Sequence, residues 1–330
     1  MRLSVLDQSP IAEGSTAGDA LRNTIDLARW AEQLGYQRYW LAEHHGTPGL
    51  ADASPEVMVG PVAAATSRLH VGTGGVMLPH YSPLKVAETF SMLSALFPGR
   101  IDLGLGRAAG TSPGIAYALQ RDRRQPAPDD FHEQLEELLG YLENRGPATG
   151  PFRQTSAIHF ESPEPWLLGS SAQSGIWAAE LGLPYVFADF INPNGEAIAA
   201  YYREHFQPSA RLQAPRTAVA TWSICADSDE EAQLLASSMR MLMLMLYRGR
   251  LIPVPSVETA LAFLAQEGVP AETLPVGRRL IVGNPRKVRS MIEEVAADYG
   301  AEEVFVVNIM HDHLARKRSY ELIAKVFELS

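Results

Sequence analysis

With 330 residues, 46% of them hydrophobic and 20% charged, the chain has an ordinary globular composition, which excludes a disordered one. A net charge of −10 without a basic run argues against nucleic acid and anionic membrane surfaces as partners, and leaves small molecules open. The single cysteine, Cys225, excludes an internal disulfide and a multi-cysteine metal site, and its strand-like neighbours predict a buried, inert thiol. No apolar run reaches the ~18 residues of a membrane span. Met1 to Asp7 enters structure without an apolar signal region, so a soluble, cytoplasmic protein is expected.

In chain order, Leu3 to Leu6 predicts a strand and Ala20 to Leu34 a helix, with Leu21, Ile25, Ala28 and Ala31 at three- and four-residue steps. Gly35 stops that helix. The alternation continues: strand Tyr39 to Ala42, helix Pro55 to Thr66, strand Leu69 to Leu78, helix Pro83 to Leu96, strand Ile101 to Leu105. The helix Asp129 to Leu142 puts Phe131, Leu135, Leu138, Leu139 and Leu142 on one face. Strands follow at Trp166 to Leu168, Tyr185 to Ala188, Thr217 to Ala226 and Val304 to Ile309, each with its helix, the last from Leu314 to Phe327.

Eight mostly apolar strands separated by helices imply parallel pairing, and the expected fold is a single-domain (β/α)₈ barrel spanning residues 1–330. A doubly wound open sheet is the alternative. One stretch breaks the rhythm: Arg248 to Leu280 carries four prolines and one helix near Val257 to Gln266. It reads either as a lid over the active-site face or as a surface excursion.

In such a barrel the site lies at the C-terminal ends of the strands. The second strand ends in Glu43-His44-His45, where an imidazole can serve as acid, base or substrate anchor. A metal reading, with Glu43 and Asp189 as further ligands, competes but matches no recognised spacing. The third strand carries Gly72-Thr73-Gly74-Gly75, which fits either close approach of a flat ring or a barrel bend. The fourth ends in Gly104-Leu105-Gly106-Arg107; its glycines do not open the first βα unit, so a dinucleotide fingerprint is rejected. Arg107 suits a phosphate or ribityl oxygen, or a salt bridge on the rim. The fifth runs through Gly169-Ser170-Ser171-Ala172-Gln173-Ser174 into a helix, a place for capping or for phosphate binding. Together these describe FMN: a ring against Gly74 and Gly75, a linker near Arg107, and a phosphate at Ser170, Ser171 and Ser174. Met77, Trp222 and Asn308 are pocket or core.

The same segments, with Trp177 to Pro184, resemble the luciferase-like monooxygenase family in motif order over nearly the whole chain. The resemblance implies a (β/α)₈ barrel, often dimeric, using reduced FMN with oxygen or a deazaflavin coenzyme in hydride transfer. It implies that His44 is the catalytic histidine and that Gly74-Gly75 is a non-prolyl cis peptide beneath the ring. Arg107, Ser170, Ser171 and Ser174 match phosphate-side positions, and Arg248 to Leu280 matches a loop after the seventh strand. Gly106 stands where light-emitting luciferase has a cysteine, so light emission is not expected. The leading expectation is an FMN-dependent monooxygenase acting on a small organic substrate, with a separate flavin reductase and no metal. Deazaflavin-dependent hydride transfer, a non-catalytic flavin-binding homologue and a metal-dependent barrel hydrolase are the rivals.

Overall fold

The computed structural model describes residues 1–107, 112–143, 161–270 and 278–329. Its strands are β1 (Arg2–Asp7), β2 (Arg38–Leu41), β3 (His70–Met77), β4 (Ile101–Gly106), β5 (Glu164–Gly169), β6 (Tyr185–Ala188), β7 (Thr217–Cys225), β8 (Leu280–Gly283) and β9 (Glu303–Val307). The helices are α1 (Ala17–Gln33), α2 (Pro55–Ala65), α3 (Pro83–Leu96), α4 (Pro113–Leu119), α5 (Phe131–Leu142), α6 (Ala172–Glu180), α7 (Glu196–His205), α8 (Asp229–Tyr247), α9 (Val257–Gln266), α10 (Pro285–Tyr299) and α11 (His313–Val326).

Every strand pairing is parallel, and β1 to β7 close through β9 back onto β1, so the eight expected strands form the closed barrel. The ninth, β8, was not expected. It extends the upper half of β7: Ala218 to Trp222 pairs with β9, and Trp222 to Cys225 pairs with β8. The stretch Arg248 to Leu280 contains α9 as expected, and residues 271–277 lie outside the described part.

Local signals place the helices. Thr16 and Asp19 form a capping box at the start of α1. Asn284 caps α10 ahead of Pro285, and Gly300, with φ 57°, ends it in the left-handed region.

The strands alternate, except where β3 shifts register between Thr73 and Val76. Leu3, Val5, Tyr39, Leu41, Leu103 and Leu105 face outward and join the helices in one core. Leu6, Trp40, Trp166, Ala220 and Phe305 face inward and form a second core inside the barrel. Trp40 packs against Phe305, with centroids 4.3 Å apart and the rings tilted by 32°, and meets Trp166 edge-on at 5.3 Å. Below them, the N-terminal end is plugged by charge: Arg38 Nη1 lies 2.7 Å from Asp102 Oδ2 and Nε 3.2 Å from Glu303 Oε1. A packed, paired floor leaves the opposite end for ligands. Among the described residues no helix is long and apolar enough to cross a membrane. Cys225 is buried, and burial pushes its thiol up to about 12, as an inert thiol requires.

Candidate active site

At the C-terminal face two chambers adjoin. The smaller, ≈ 230 Å³, is lined by all seven predicted site residues: His44, Gly74, Gly75, Arg107, Ser170, Ser171 and Ser174. The larger, ≈ 470 Å³, opens beside it under the end of α8. Gln8, His44, Phe190 and Ile191 line both, so His44 stands at the junction.

The glycine wall has a packing reason as well as a site. Thr73 pairs with Leu103 and Val76 with Leu105, so Gly74 and Gly75 form a bulge opposite Gly104. A Cβ on Gly74 would stand 2.5 Å from Leu6 Cδ1, and one on Gly75 2.8 Å from the Gly104 carbonyl oxygen. The Gly74-Gly75 peptide is cis. Bend and bare wall are therefore the same feature.

The phosphate-side residues divide. Ser171 is the N-cap residue of α6, yet its side chain makes no capping hydrogen bond, unlike the caps of α1, α8, α9, α10 and α11. Ser171 lines the smaller chamber at the start of α6, where Ser174 N donates to the Ser171 carbonyl at 3.2 Å and no side-chain cap occupies the helix end. The Ser170 carbonyl accepts from Asn192 Nδ2 at 3.0 Å, fixing the turn. Ser174 is different: its hydroxyl is buried, donates to the Ser171 carbonyl at 2.7 Å and pairs with Tyr185 Oη at 2.8 Å. It shapes the turn from beneath. Arg107 is exposed on the rim and lies 5.5 Å from the Trp177 ring centroid, with no carboxylate partner among the described residues. The rim salt bridge that the sequence allowed is not formed with any of them.

His44 has a partner that spacing did not reveal. Its Nδ1 lies 2.7 Å from Oδ2 of Asp52, whose other oxygen, Oδ1, is buried without a hydrogen-bond partner among the described residues. The loop after β2 folds back to deliver Asp52: Ala51 N donates to the Ser9 carbonyl at 2.9 Å. With Nδ1 engaged, Nε2 is the nitrogen left for a ligand. Burial pushes the His44 pKa down, but the charge and hydrogen bond of Asp52, with Glu43 behind, outweigh it and the net shift is upward. Burial raises the Asp52 pKa, partly offset by His44. Both shifts favour a proton held within the pair.

Glu43 is buried and spent on structure, accepting from Met77 N at 2.9 Å and Tyr81 Oη at 3.1 Å, with His45 Nε2 at 2.8 Å. Asp189 accepts from Tyr299 Oη at 2.9 Å. Among the described residues no group of three His, Cys, Asp or Glu side chains is placed to hold a metal ion. Of the pocket-or-core residues, Met77 and Trp222 line the chambers, whereas Asn308 is buried and donates to the Ser223 carbonyl and Ser319 Oγ.

Comparison with known proteins places this geometry. Residues 1–303 match the family model described as luciferase-like monooxygenase. The chain is 41% identical to a luciferase-like monooxygenase of Escherichia coli (strain K12), covering 98% of this chain and 96% of the relative. It is 36% identical to the N-acetyl-S-alkylcysteine monooxygenase of Bacillus subtilis (strain 168), covering 98% and 97%. Apo-MsnO8 superposes with a TM-score of 0.89 at 39% identity, covering 100% of this chain and 99% of that one. The oxygenating constituent of 3,6-diketocamphane monooxygenase from Pseudomonas putida, in complex with FMN, shares the fold at a TM-score of 0.72 and 20% identity, covering 98% of each chain. The chain belongs to the luciferase-like monooxygenase family.

Proposed function

We propose that the protein is an FMN-dependent monooxygenase that takes its reduced flavin from a separate reductase and oxidises a small organic substrate. The observation that carries the reading is the pair of adjoining chambers with His44 at their junction. One side offers a side-chain-free wall at Gly74 and Gly75, an arginine without a carboxylate partner among the described residues, and the start of α6 without a side-chain cap. That set fits a flat ring carrying a phosphate.

Bound, reduced FMN supplies the electrons with which oxygen is activated. The protein does the rest. Arg107, the Ser170 and Ser171 turn and the N–H groups of α6 hold the phosphate, while Ser174 braces the turn. Gly74 and Gly75 let the ring lie against the barrel wall. His44, oriented by Asp52, holds or delivers a proton at Nε2 where the two chambers meet. The largely apolar larger chamber keeps water from the reacting atoms.

The protein is further proposed to act as a homodimer in the cytoplasm. Val57 on α2 and Met92 and Leu96 on the adjacent α3 are 65%, 53% and 69% exposed and offer apolar surface to a second copy. The test of function is anaerobic titration with oxidised FMN, reduced FMN and the deazaflavin coenzyme, followed by admission of oxygen. Saturable binding of FMN, with oxygen uptake from its reduced form, supports the reading. Binding of the deazaflavin alone replaces it with hydride transfer, and binding of none removes it.

A further inference from the structure

The larger chamber carries a charge pattern that the flavin does not use. We propose that it selects substrates bearing a carboxylate on an apolar body, with Arg250 and Arg278 as the anion anchor. This rests on the proposed function, in which that chamber takes the substrate.

The sign of the chamber is opposite to that of the molecule. The chain has 38 acidic and 28 basic residues, yet the described lining of the chamber includes Arg250 and Arg278 and not one Asp or Glu. Their neighbours behave otherwise. Arg248, two residues before Arg250, pairs with Glu267, and Arg279, next to Arg278, lies 3.5 Å from Asp189 Oδ2. The two arginines on the chamber have no carboxylate partner among the described residues.

Backbone geometry sends them there. The end of α8 turns through Gly249, with φ 71°, and closes with Gly249 N donating to the Leu246 carbonyl and Arg250 N to the Met245 carbonyl. That turn separates Arg248, on Glu267, from Arg250, on the chamber. Arg278 is held in place by neutral acceptors: its Nη1 donates to the Phe190 and Ile191 carbonyls at 2.9 and 2.8 Å, and its Nε to Tyr247 Oη at 3.2 Å. Its guanidinium lies 5.9 Å from the Trp222 ring centroid. These bonds fix its position and leave its charge uncompensated.

Most of the rest of the wall is apolar, including Leu50, Trp222, Leu242, Met243, Ile252 and Ile309, and its other polar side chains, such as Gln8, Thr47 and His44, carry no negative charge. Arg278 is half-buried and Arg250 is exposed, so an anion on the chamber can reach and answer both guanidinium groups. A carboxylate does so with the planar, two-oxygen geometry that matches the guanidinium fork. A volume of ≈ 470 Å³ lies within the ~300–1,000 Å³ of small-molecule sites.

The test is calorimetric titration of the full chain with octanoate, 1-octanol and octylamine, for the wild type and Arg250→Gln, each with a parallel FMN titration. Octanoate is expected to bind about tenfold or more tightly than octanol, and octylamine weakest. Arg250→Gln should erase most of the octanoate advantage, leaving octanol and FMN affinities within about twofold. Equal binding of octanoate and octanol overturns the inference even if FMN binds. An Arg250→Gln variant that loses FMN affinity also overturns it, because the cation would then serve the flavin. A carboxylate preference in a protein that binds no FMN upholds the anion anchor and removes the flavin reading instead.

Discussion

Replacing Arg107 with Ala isolates one interaction of the proposed flavin site. The side chain is exposed, leans on the Trp177 ring at 5.5 Å and has no carboxylate partner among the described residues. Its removal therefore strands no buried charge. Loss of the cation–π contact at an exposed site sets the folding cost at about 0.5–1 kcal/mol. A charge-assisted contact to phosphate contributes about 1.5–3 kcal/mol, which is roughly a 10- to 150-fold change in Kd. Riboflavin has the same ring and no phosphate, so its affinity should stay within about threefold. The assay is flavin fluorescence quenching, with FMN and riboflavin titrated into wild type and variant, and urea unfolding of both proteins as the control. Equal losses for the two flavins, or no loss for FMN, would refute the assignment of Arg107 to the phosphate end.

Three further outcomes follow from the geometry. A Cβ on Gly104 would stand 2.0 Å from the Thr73 carbonyl oxygen, whereas one on Gly106 meets the flexible end of Met77 at 3.3 Å. Gly104→Ala should cost about 1–3 kcal/mol in urea unfolding and Gly106→Ala less than 1 kcal/mol, and the reverse order would contradict the bulge geometry. Asp7 is buried; burial raises its pKa, but Arg316 at 2.7 Å, Tyr39 and the Ser9 N–H outweigh that, and the net shift is downward. A carboxyl depressed in the folded state stabilises above its unfolded pKa, near 3.8, and loses that contribution as pH falls through the folded value. Asp7→Asn should thus cost about 3–5 kcal/mol at pH 7, where Arg316 is left buried and unpaired, and the gap to wild type should shrink in acid; a gap that does not narrow argues against the pair. His44 runs the other way: its raised pKa stabilises below the unfolded value of 6.5 and loses that contribution as pH rises through the folded one. Asp52→Asn removes the cause that raises His44 and leaves burial, so the His44 Cε1 proton, followed by NMR, should titrate at lower pH than in wild type; an unchanged or higher midpoint would exclude the orienting role of Asp52.

What the sequence made legible is what periodicity and local chemistry encode. The barrel strands could be read because parallel strands buried on both faces are mostly apolar, as in β4 and β7, which are buried along their whole length. Two elements were not legible, for opposite reasons. α4 has no buried residue and so no periodic face to announce it. β8 has four residues between Arg279 and Asn284, too short for a pattern, and becomes a strand through pairing with the upper half of β7.

At the site, residue types were legible and their directions were not. Gly169-Ser170-Ser171-Ala172-Gln173-Ser174 offers three equivalent hydroxyls in sequence. Helical geometry turns Ser174 inward, onto the Ser171 carbonyl and Tyr185, and a Cβ at Gly169 would lie 2.1 Å from its hydroxyl. Gly169 thus makes room for a brace at the chamber wall, while Ser171, which looks like an ordinary cap, makes no capping hydrogen bond. Asp52 was invisible for a tertiary reason: eight residues separate it from His44, and only the return of the loop onto Ser9 closes the distance. Arg250 and Arg278 have the spelling of surface charge, and what sets them apart from Arg248 and Arg279 is which neighbour holds an acid. Local pattern therefore locates a site, and the identity of each side chain's partner decides what that side chain can do there.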